Sequence, residues 1–204
     1  MMTVSETSIQ ARPDPRIFRS ETAIRQALLE LMASGREFGS VTVSEIAVKA
    51  GVTRKTFYAR FGSPEQVVGR VVMDLFSEVS QHIDDELLRL PLQDNSLAMT
   101  VFKAYEQHQA VLAPLVQHCP ASLFIEPVSA VTESLLDRVI EVNQLSPLDD
   151  VEKAYLIATV ASMVHGILSV WVRRGFSESP EQVAGFIDRL LADGLQKVVL
   201  SPRD

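Results

Sequence analysis

The amino-acid sequence predicts an all-α protein, with an N-terminal three-helix helix-turn-helix domain and a larger C-terminal helical domain. Three observations support this prediction. Apolar residues recur three and four positions apart along most of the chain, the alternation typical of strands is absent, and residues 42–61 have the pattern of two short helices joined by a tight turn. We divide the chain into a flexible N-terminal arm (residues 1–15), the helix-turn-helix domain (16–62) and the C-terminal domain (63–204).

Composition narrows the kind of protein this chain can be. Hydrophobic residues make up 47% of its 204 residues, which is enough for a sizeable core. The single cysteine, Cys119, excludes an intramolecular disulfide framework and suits the reducing cytoplasm. Residues 1–15 lack the apolar stretch of a signal peptide, so we expect a polar arm there and a cytoplasmic protein.

Charge is distributed unevenly along the chain, although the net charge is −7. Residues 1–64 contain nine Lys and Arg against six Asp and Glu, whereas the remaining residues contain ten against twenty. This asymmetry predicts a basic N-terminal domain joined to an acidic C-terminal one. A basic surface attracts nucleic acid, and the acidic domain would repel it, which restricts contact to the N-terminal part.

The first helix of the helix-turn-helix pattern has signals at both its ends. Thr42 is placed to cap it, and Glu45, three residues later, completes a capping box. Ala47 is small and permits another helix to approach closely, and Gly51 supplies the left-handed backbone conformation of the turn. The predicted buried face of this helix consists of Ile46, Ala47 and Ala50.

The second helix combines a buried inner side with a polar outer side. Thr53 is placed to cap it, and Phe57 and Phe61, four residues apart, share the inner side. A helix-turn-helix inserts the outer side of this helix into the major groove, so double-stranded DNA is the predicted partner. The simpler alternative is an ordinary helical hairpin with a polar surface, and the combination of small Ala, turn Gly, two caps and aromatic anchors favours DNA binding. The candidate DNA-binding residues are Thr42, Thr53, Arg54, Lys55, Thr56, Tyr58 and Arg60.

Further helices flank this pattern. The first is predicted over residues 16–33 and ends at Gly35. Another begins after the cap Ser63, with Pro64 at its first position, and its apolar stripe continues to about Leu90. The remaining helices are predicted over residues 96–108, 111–118, 128–142 (starting after Pro127), 148–174 and 180–199.

The segment 154–172 contains no charged residue in nineteen positions, a length that could span a bilayer. Polar and small residues dilute it and no second such segment exists, so we favour a helix buried on all sides, partly by a second chain. The last two helices of two chains would form a four-helix dimer interface. In the last helix, Asp188 and Arg189 are expected to lie away from the apolar stripe, which consists of Val183, Phe186, Ile187, Leu190, Leu191, Leu195 and Val198.

The chain resembles the TetR family of bacterial transcriptional repressors, most strongly over residues 16–75. A second, shorter likeness covers residues 171–176 with 179–181, which resemble the loop between the last two helices of several branches of that family. The residues that carry the main resemblance are Val41-Thr42-Val43, Ile46-Ala47, Ala50-Gly51-Val52-Thr53, Thr56-Phe57-Tyr58 and Phe61.

This resemblance implies a homodimer whose N-terminal domains bind DNA and whose C-terminal domains bind a small molecule that releases the DNA. It implies that Tyr58 contacts a phosphate and Thr42 the DNA backbone. Many members have lysine where this chain has Pro64, so a phosphate contact there would depend on backbone N–H groups and the helix dipole. The positions that read bases correspond to Arg54, Lys55 and Thr56.

The C-terminal domain contains aromatic, soft and amphipathic residues suited to an apolar ligand pocket, although each of them also fits an ordinary core. We expect a largely apolar or aromatic effector that is neutral or weakly charged. A strongly charged ligand would need a countercharge, and the nearest candidates, Arg138 and Arg173, are expected to be solvated. The candidate ligand-binding residues are Met99, Phe102, Tyr105, His108, Phe124, Met163, His165 and Trp171.

No catalytic motif or metal-ligand spacing is present, so we expect neither enzyme activity nor a metal or cofactor. His82 and Glu86 share a helix face, but the acidic surface around them fits solvation better than metal binding. The preferred interpretation is a dimeric, ligand-responsive repressor of a palindromic operator. One alternative is a DNA-binding dimer of this fold controlled by a protein partner, and a lesser one is a helical enzyme with an incidental hairpin.

Overall fold

Nine α-helices and two short 3-10 helices make up the regular structure of residues 15–92 and 96–191, the part of the chain that this computed structural model describes. The prediction of an all-α fold is confirmed for these residues. The helices are α1 (Pro15–Ala33), α2 (Val43–Lys49), α3 (Arg54–Arg60), α4 (Pro64–Gln81), α5 (Ser96–Gln107), α6 (Gln109–His118), α7 (Ser122–Val142), α8 (Asp150–Arg173) and α9 (Pro180–Leu191), with 3-10 helices at Phe38–Ser40 and Asp85–Leu88.

The first three helices enclose side chains that are almost entirely removed from water. Ile24 and Leu28 of α1, Ile46 of α2 and Phe57 of α3 are each at most 1% exposed. Burying such a side chain contributes about 1.5–3 kcal/mol. The same cluster continues without a break through Val67 of α4 into the C-terminal helices. The two parts of the protein therefore share one core.

The C-terminal helices pack around α4 and α8. Helix α4 lies against α7, α7 lies against α8, and α5 lies against α9. Helix α6 contacts α8 on one side and α1 on the other. As a result α1 is held both by α4 and by α6, which joins the helix-turn-helix to the C-terminal helices at two places.

The end of α6 contacts both the last turns of α1 and the segment that follows α1. The Nδ1 atom of His118 lies 3.1 Å from Oε1 of Glu37, and the Cys119 thiol donates to Sδ of Met32 at 3.5 Å. Burial and the nearby Glu37 carboxylate raise the pKa of Cys119 to about 12. The sulfur is therefore a packed thiol at neutral pH, without the thiolate character of a reactive cysteine.

Helix α4 ends well before Leu90, and the predicted longer helix is wrong. The cause is Arg138 of α7, whose guanidinium donates to the backbone oxygens of Ser80 at 2.9 Å and Ile83 at 2.8 Å and pairs with Asp85 at 2.6 Å. The bond to Ser80 satisfies a carbonyl group in the last turn of the helix, and the bonds to Ile83 and Asp85 stabilise the turn that follows. The expectation that Arg138 is solvated is also wrong, because it is engaged at this helix end.

Two prolines lie inside helices. Helix α7 begins at Ser122 and contains Pro127, so the predicted start at residue 128 is wrong, and α6 contains Pro114. An interior proline costs roughly 3 kcal/mol in an isolated helix. Both prolines are buried, as is Phe124 in the first turn of α7, and this burial offsets the cost. The arm (residues 1–14), the predicted end of the last helix (192–199) and the side chains of Leu190 and Leu191 lie outside the described residues.

Candidate nucleic-acid interface and ligand cavity

The start of α2 is fixed by the capping box that the sequence predicts. The hydroxyl oxygen of Thr42 accepts a hydrogen bond from the Glu45 N–H at 3.3 Å, and the Thr42 N–H donates to Oε2 of Glu45 at 2.9 Å. Arg36 pairs with the other Glu45 oxygen at 3.1 Å. The Thr42 and Arg36 hydrogen bonds lower the pKa of Glu45 from its ordinary 4.5 to about 2. The box is therefore intact at neutral pH.

The turn between α2 and α3 brings the two helices into contact. Gly51 has φ +65°, a conformation that glycine adopts without a Cβ penalty. The Val52 N–H donates to the carbonyl oxygen of Ala47 at 2.9 Å, and Ala47 is buried. A larger side chain in place of Ala47 would push α3 away from α2.

Helix α3 presents one face to the core and another to solvent. Its cap, Thr53, accepts from the Thr56 N–H at 3.0 Å. Phe57 and Phe61 are buried with ring centroids 6.4 Å apart, whereas the neighbouring Tyr58 is 51% exposed. The aromatic pair orients the helix, and its outer face is left open.

The seven candidate DNA-binding residues do not all have the same freedom. Arg54 and Lys55 are exposed and form no ion pair with any described residue. Thr56 is half-buried and its hydroxyl lies 3.0 Å from that of Thr53. The half-buried Arg60 donates from Nε to the Ser20 hydroxyl of α1 at 3.1 Å, so part of its guanidinium is already engaged. The exposed set consists of Thr42, Thr53, Arg54, Lys55 and Tyr58.

The N-terminus of α4 offers few free donors beside this face. Ser63 caps the helix by accepting from the Gln66 N–H at 3.4 Å, and Pro64 has no N–H. The Gln66 side chain turns back to accept from the Gly62 N–H at 2.8 Å. In the first turn of α4, Ser63 accepts hydrogen bonds from the N–H groups of Gln66 and Val67. The Glu65 N–H is not capped in this way and is therefore the donor available to a phosphate.

A cavity of about 240 Å³ lies among α4, α5, α7, α8 and α9. This is slightly below the roughly 300 Å³ at which ligand pockets usually begin. Sixteen of its twenty lining residues are apolar, as pockets for apolar ligands require. The four others are Ser80, Tyr105, Thr132 and Asp188.

Three of the eight candidate ligand-binding residues line this cavity, namely Phe102, Tyr105 and Met163. Burial raises the pKa of Tyr105 far above its ordinary value, so its phenol stays neutral. Trp171 does not line the cavity but packs against its lining residue Phe102, with ring centroids 5.5 Å apart. It lines a separate surface groove between α8 and α9.

The other four candidates are not among the cavity-lining residues. Phe124 packs on Phe76 and on His165, each with ring centroids 5.2 Å apart, and thereby supports the cavity wall. His108 lies 3.9 Å from the Glu78 carboxylate. The half-buried Met99 completes the four.

Sequence reasoning missed Asp188, and the expectation that it lies away from the apolar side of its helix is wrong. It lines the cavity, one turn beyond the fully buried Ala184 and beside the buried Ile187. Positions 184 and 188 share a helix face, but the burial of Ala184, which places the aspartate near the core, is visible only in the packed structure.

Helix α8 is buried on one side only within a single chain. Tyr155 is 74% exposed, Val170 is 49% exposed, and on α9 Phe186 is 53% exposed. By length and composition α8 is also the one helix among the described residues that could cross a membrane, with 28% of its most apolar window buried. Core helices of soluble proteins share this property, so the helix alone is weak support for insertion.

Two family models match the chain in the same order as its two structural parts. A model of bacterial regulatory proteins of the tetR family matches residues 24–71, which contain α2 and α3, and a model of transcriptional regulator C-terminal regions, TetR_C_8, matches residues 95–193. The chain belongs to the TetR family of transcriptional regulators. The sequence-based assignment is therefore confirmed.

The uncharacterized HTH-type transcriptional regulator YxbF of Bacillus subtilis (strain 168) is 24% identical over 191 residues, which make up 92% of this chain and 48% of YxbF. The chain thus spans about half the length of this curated relative.

Solved structures share the fold. Lin0861 from Listeria innocua has a TM-score of 0.69 at 16% identity, over 90% of this chain and 95% of Lin0861. The fatty acid degradation regulator FadR from Bacillus halodurans has a TM-score of 0.56 at 17% identity, over 91% of this chain and 98% of FadR. At these identities the likeness concerns the fold alone.

As a TetR-family transcriptional regulator with a DNA-binding helix-turn-helix, the protein is not an enzyme. The alternative of a helical enzyme with an incidental hairpin is therefore excluded. The outer face of α3 and the cavity of the C-terminal helices are the two candidate sites for non-covalent recognition.

Proposed function

We propose that this TetR-family regulator is a cytoplasmic, ligand-responsive repressor that binds a palindromic operator as a homodimer. The observation that carries the proposal is the course of α4. Three residues separate this helix from α3, and near its other end Phe76, Val79 and Ser80 line the cavity. A ligand in the cavity would contact α4. This helix directly follows α3, which is the recognition helix of the helix-turn-helix. The cavity also favours control by a small molecule over control by a protein partner alone.

The exposed face of α8 supports dimerisation through the last two helices. This face is continuous and uncharged over five turns, and it is joined by Phe186 of α9. A contiguous apolar patch of this kind marks an interaction surface, and a two-fold axis would pack α8 and α9 on their counterparts as a four-helix interface. The exposed residues of the face are Val151, Ala154, Tyr155, Ala158, Thr159, Ser162, Gly166 and Val170.

Release of DNA would follow from a change in the spacing of the two recognition helices. A dimer must place them about one helical turn apart, on the order of 34 Å, to occupy two half-sites. A ligand that binds better to a form with another spacing shifts the population toward that form and weakens DNA binding. This mechanism requires no contact between ligand and DNA.

Within the proposed interface, we assign phosphate contacts to Lys55 and Tyr58 and base readout to Arg54 and Thr56, with Thr42 on the backbone. Thr42, Arg54, Lys55 and Tyr58 are exposed on the outer face of α3 and its approach, and the half-buried Thr56 lies on the same helix. Lys55→Ala should weaken binding to all sequences alike and reduce the salt slope by about one unit. Arg54→Ala should instead relax sequence preference, at a cost of about 1–3 kcal/mol if it contacts guanine in bidentate fashion.

Fluorescence anisotropy on specific and random DNA at several salt concentrations separates these two roles, and each variant is the control for the other. An unchanged salt slope in Lys55→Ala would contradict the phosphate contact. Equal losses on both DNAs in Arg54→Ala would move that residue to the backbone.

The function itself is tested by selecting bound fragments from a random DNA library. We expect an inverted repeat whose half-sites lie about one helical turn apart. Neutral aromatic compounds and acidic metabolites are then compared for thermal stabilisation and for release of the selected DNA. Enrichment of no site, or of a single half-site only, would contradict a dimeric operator-binding regulator.

A further inference from the structure

The cavity contains a charged group that the described part of the protein does not pair. Asp188 of α9 is its one charged lining residue among those described. The Oδ2 atom of this carboxylate is removed from solvent and has no hydrogen-bond donor.

An unpaired carboxylate oxygen in an apolar setting is costly, because burial removes its water without supplying a replacement donor. No Lys, Arg or His is among the described lining residues. The ion pair on the same helix, between Glu181 and Lys103 at 3.3 Å, lies at exposed positions and uses a different carboxylate. The described residues thus supply no countercharge for Asp188 in the cavity, and a cationic occupant of the cavity would supply one.

The cavity has three other polar side chains, those of Ser80, Tyr105 and Thr132, and all three are uncharged hydroxyl groups. The Thr132 hydroxyl already donates to the Val128 carbonyl at 2.8 Å. The buried Tyr105 phenol is held between the rings of Phe76 and Phe102, with centroids 5.0 and 5.7 Å away. Apart from Ser80, the remaining wall is aliphatic and aromatic. Such a site suits a ligand with one polar end and a compact apolar body.

We propose that the effector is a cationic amphiphile, an apolar or aromatic body carrying a protonated amine that pairs with Asp188. This inference rests on the proposed role of the cavity as an effector site. A cationic N–H donor supplies the charge and the hydrogen bond that the carboxylate lacks, and charge-assisted bonds of this kind are about twice as strong as neutral ones. The apolar body fills the space between α4, α5, α7 and α8.

Three probes of matched size test the proposal, namely phenylpropylamine, phenylpropanol and phenylpropionate, which carry a positive, neutral and negative end. Binding to the full chain is measured by titration calorimetry and by the emission of Trp171, whose ring contacts the cavity-lining Phe102. We expect the amine to bind at least about tenfold more tightly than the alcohol, and the carboxylate to bind most weakly.

The near-isosteric variant Asp188→Asn should reduce amine affinity about tenfold or more while changing that of the alcohol less than about threefold. Glu141→Gln, which removes an exposed carboxylate of α7, is the matched control and should leave all three affinities unchanged. Circular dichroism and sedimentation show whether each variant is folded and keeps its oligomeric state. The comparison of the three probes on the wild-type protein tests the proposal even if a variant does not fold.

The outcomes separate this inference from the proposed function. If the alcohol or the carboxylate binds the wild type as tightly as the amine, or Asp188→Asn leaves the amine unaffected, the cationic effector is ruled out. If the alcohol still binds and releases operator DNA in that case, the regulator function stands. If none of the three probes binds, the cationic effector is ruled out, and the selection of operator DNA, which uses no ligand, still tests the proposed function.

Discussion

Tyr155→Asp is expected to convert the proposed dimer into monomers and to lower operator affinity by about 10²–10⁴-fold. Tyr155 is the most exposed large side chain of the α8 face. A carboxylate there would be buried without a partner in the four-helix interface, at a cost of several kcal/mol or more. Monomers bind each half-site separately and lose the gain from joining two binding events in one molecule.

Sedimentation velocity and DNA titration measure the two effects, with Ser134→Asp as control. That position is an exposed residue of α7 outside the α8 face, and the same charge there should leave both measurements unchanged. A soluble Tyr155→Asp protein that remains dimeric and binds the operator normally would place the interface elsewhere. Because the side chain of Leu191 is outside the described residues, Tyr155 is the better-defined site for this test.

Phe57→Ala is expected to destabilise the protein by about 3–5 kcal/mol and to abolish DNA binding. Its ring is completely buried, so truncation leaves a cavity at the centre of α1, α2 and α3. The neighbouring ring of Tyr58, 5.6 Å away and edge-on, is half exposed. Tyr58→Ala should therefore retain wild-type stability within about 1 kcal/mol and lose DNA affinity alone.

Thermal and urea denaturation, together with DNA titration, distinguish these adjacent aromatic residues. The pair is its own control, since both substitutions remove a ring from the same helix. A Tyr58→Ala protein as unstable as Phe57→Ala would indicate that Tyr58 serves the core, and its assignment to phosphate would then be wrong.

The helix-turn-helix was predictable because its determinants are local. A cap such as Thr42 and its partner Glu45 are three residues apart, and the turn glycine lies within the same short stretch, so the sequence contains the whole interaction. The exposure of Arg54 and Lys55 follows from the helical period once Phe57 is placed inside. Prediction succeeded where each signal and its physical partner were close in the chain.

Features that depend on distant residues were not predictable. The end of α4 is set by Arg138, more than fifty positions away, and no local signal near Ser80 reveals it. Pro127 is accepted inside α7 because of burial that only the packed fold supplies. Asp188 reaches the cavity because α9 lies against α5, a contact between segments far apart in sequence.

The double attachment of α1 has a mechanical consequence for the proposed switch. Residues of α4 line the cavity, whereas no described residue of α6 does. Helix α6 contacts the segment after α1 through His118 and Glu37. If a ligand displaces α4 while α6 stays in place, the N-terminal helices would pivot about the contact with α6. A small translation at the cavity would then become a rotation of α3. Weakening the contact between Glu37 and His118 would uncouple the cavity from DNA binding without altering either site.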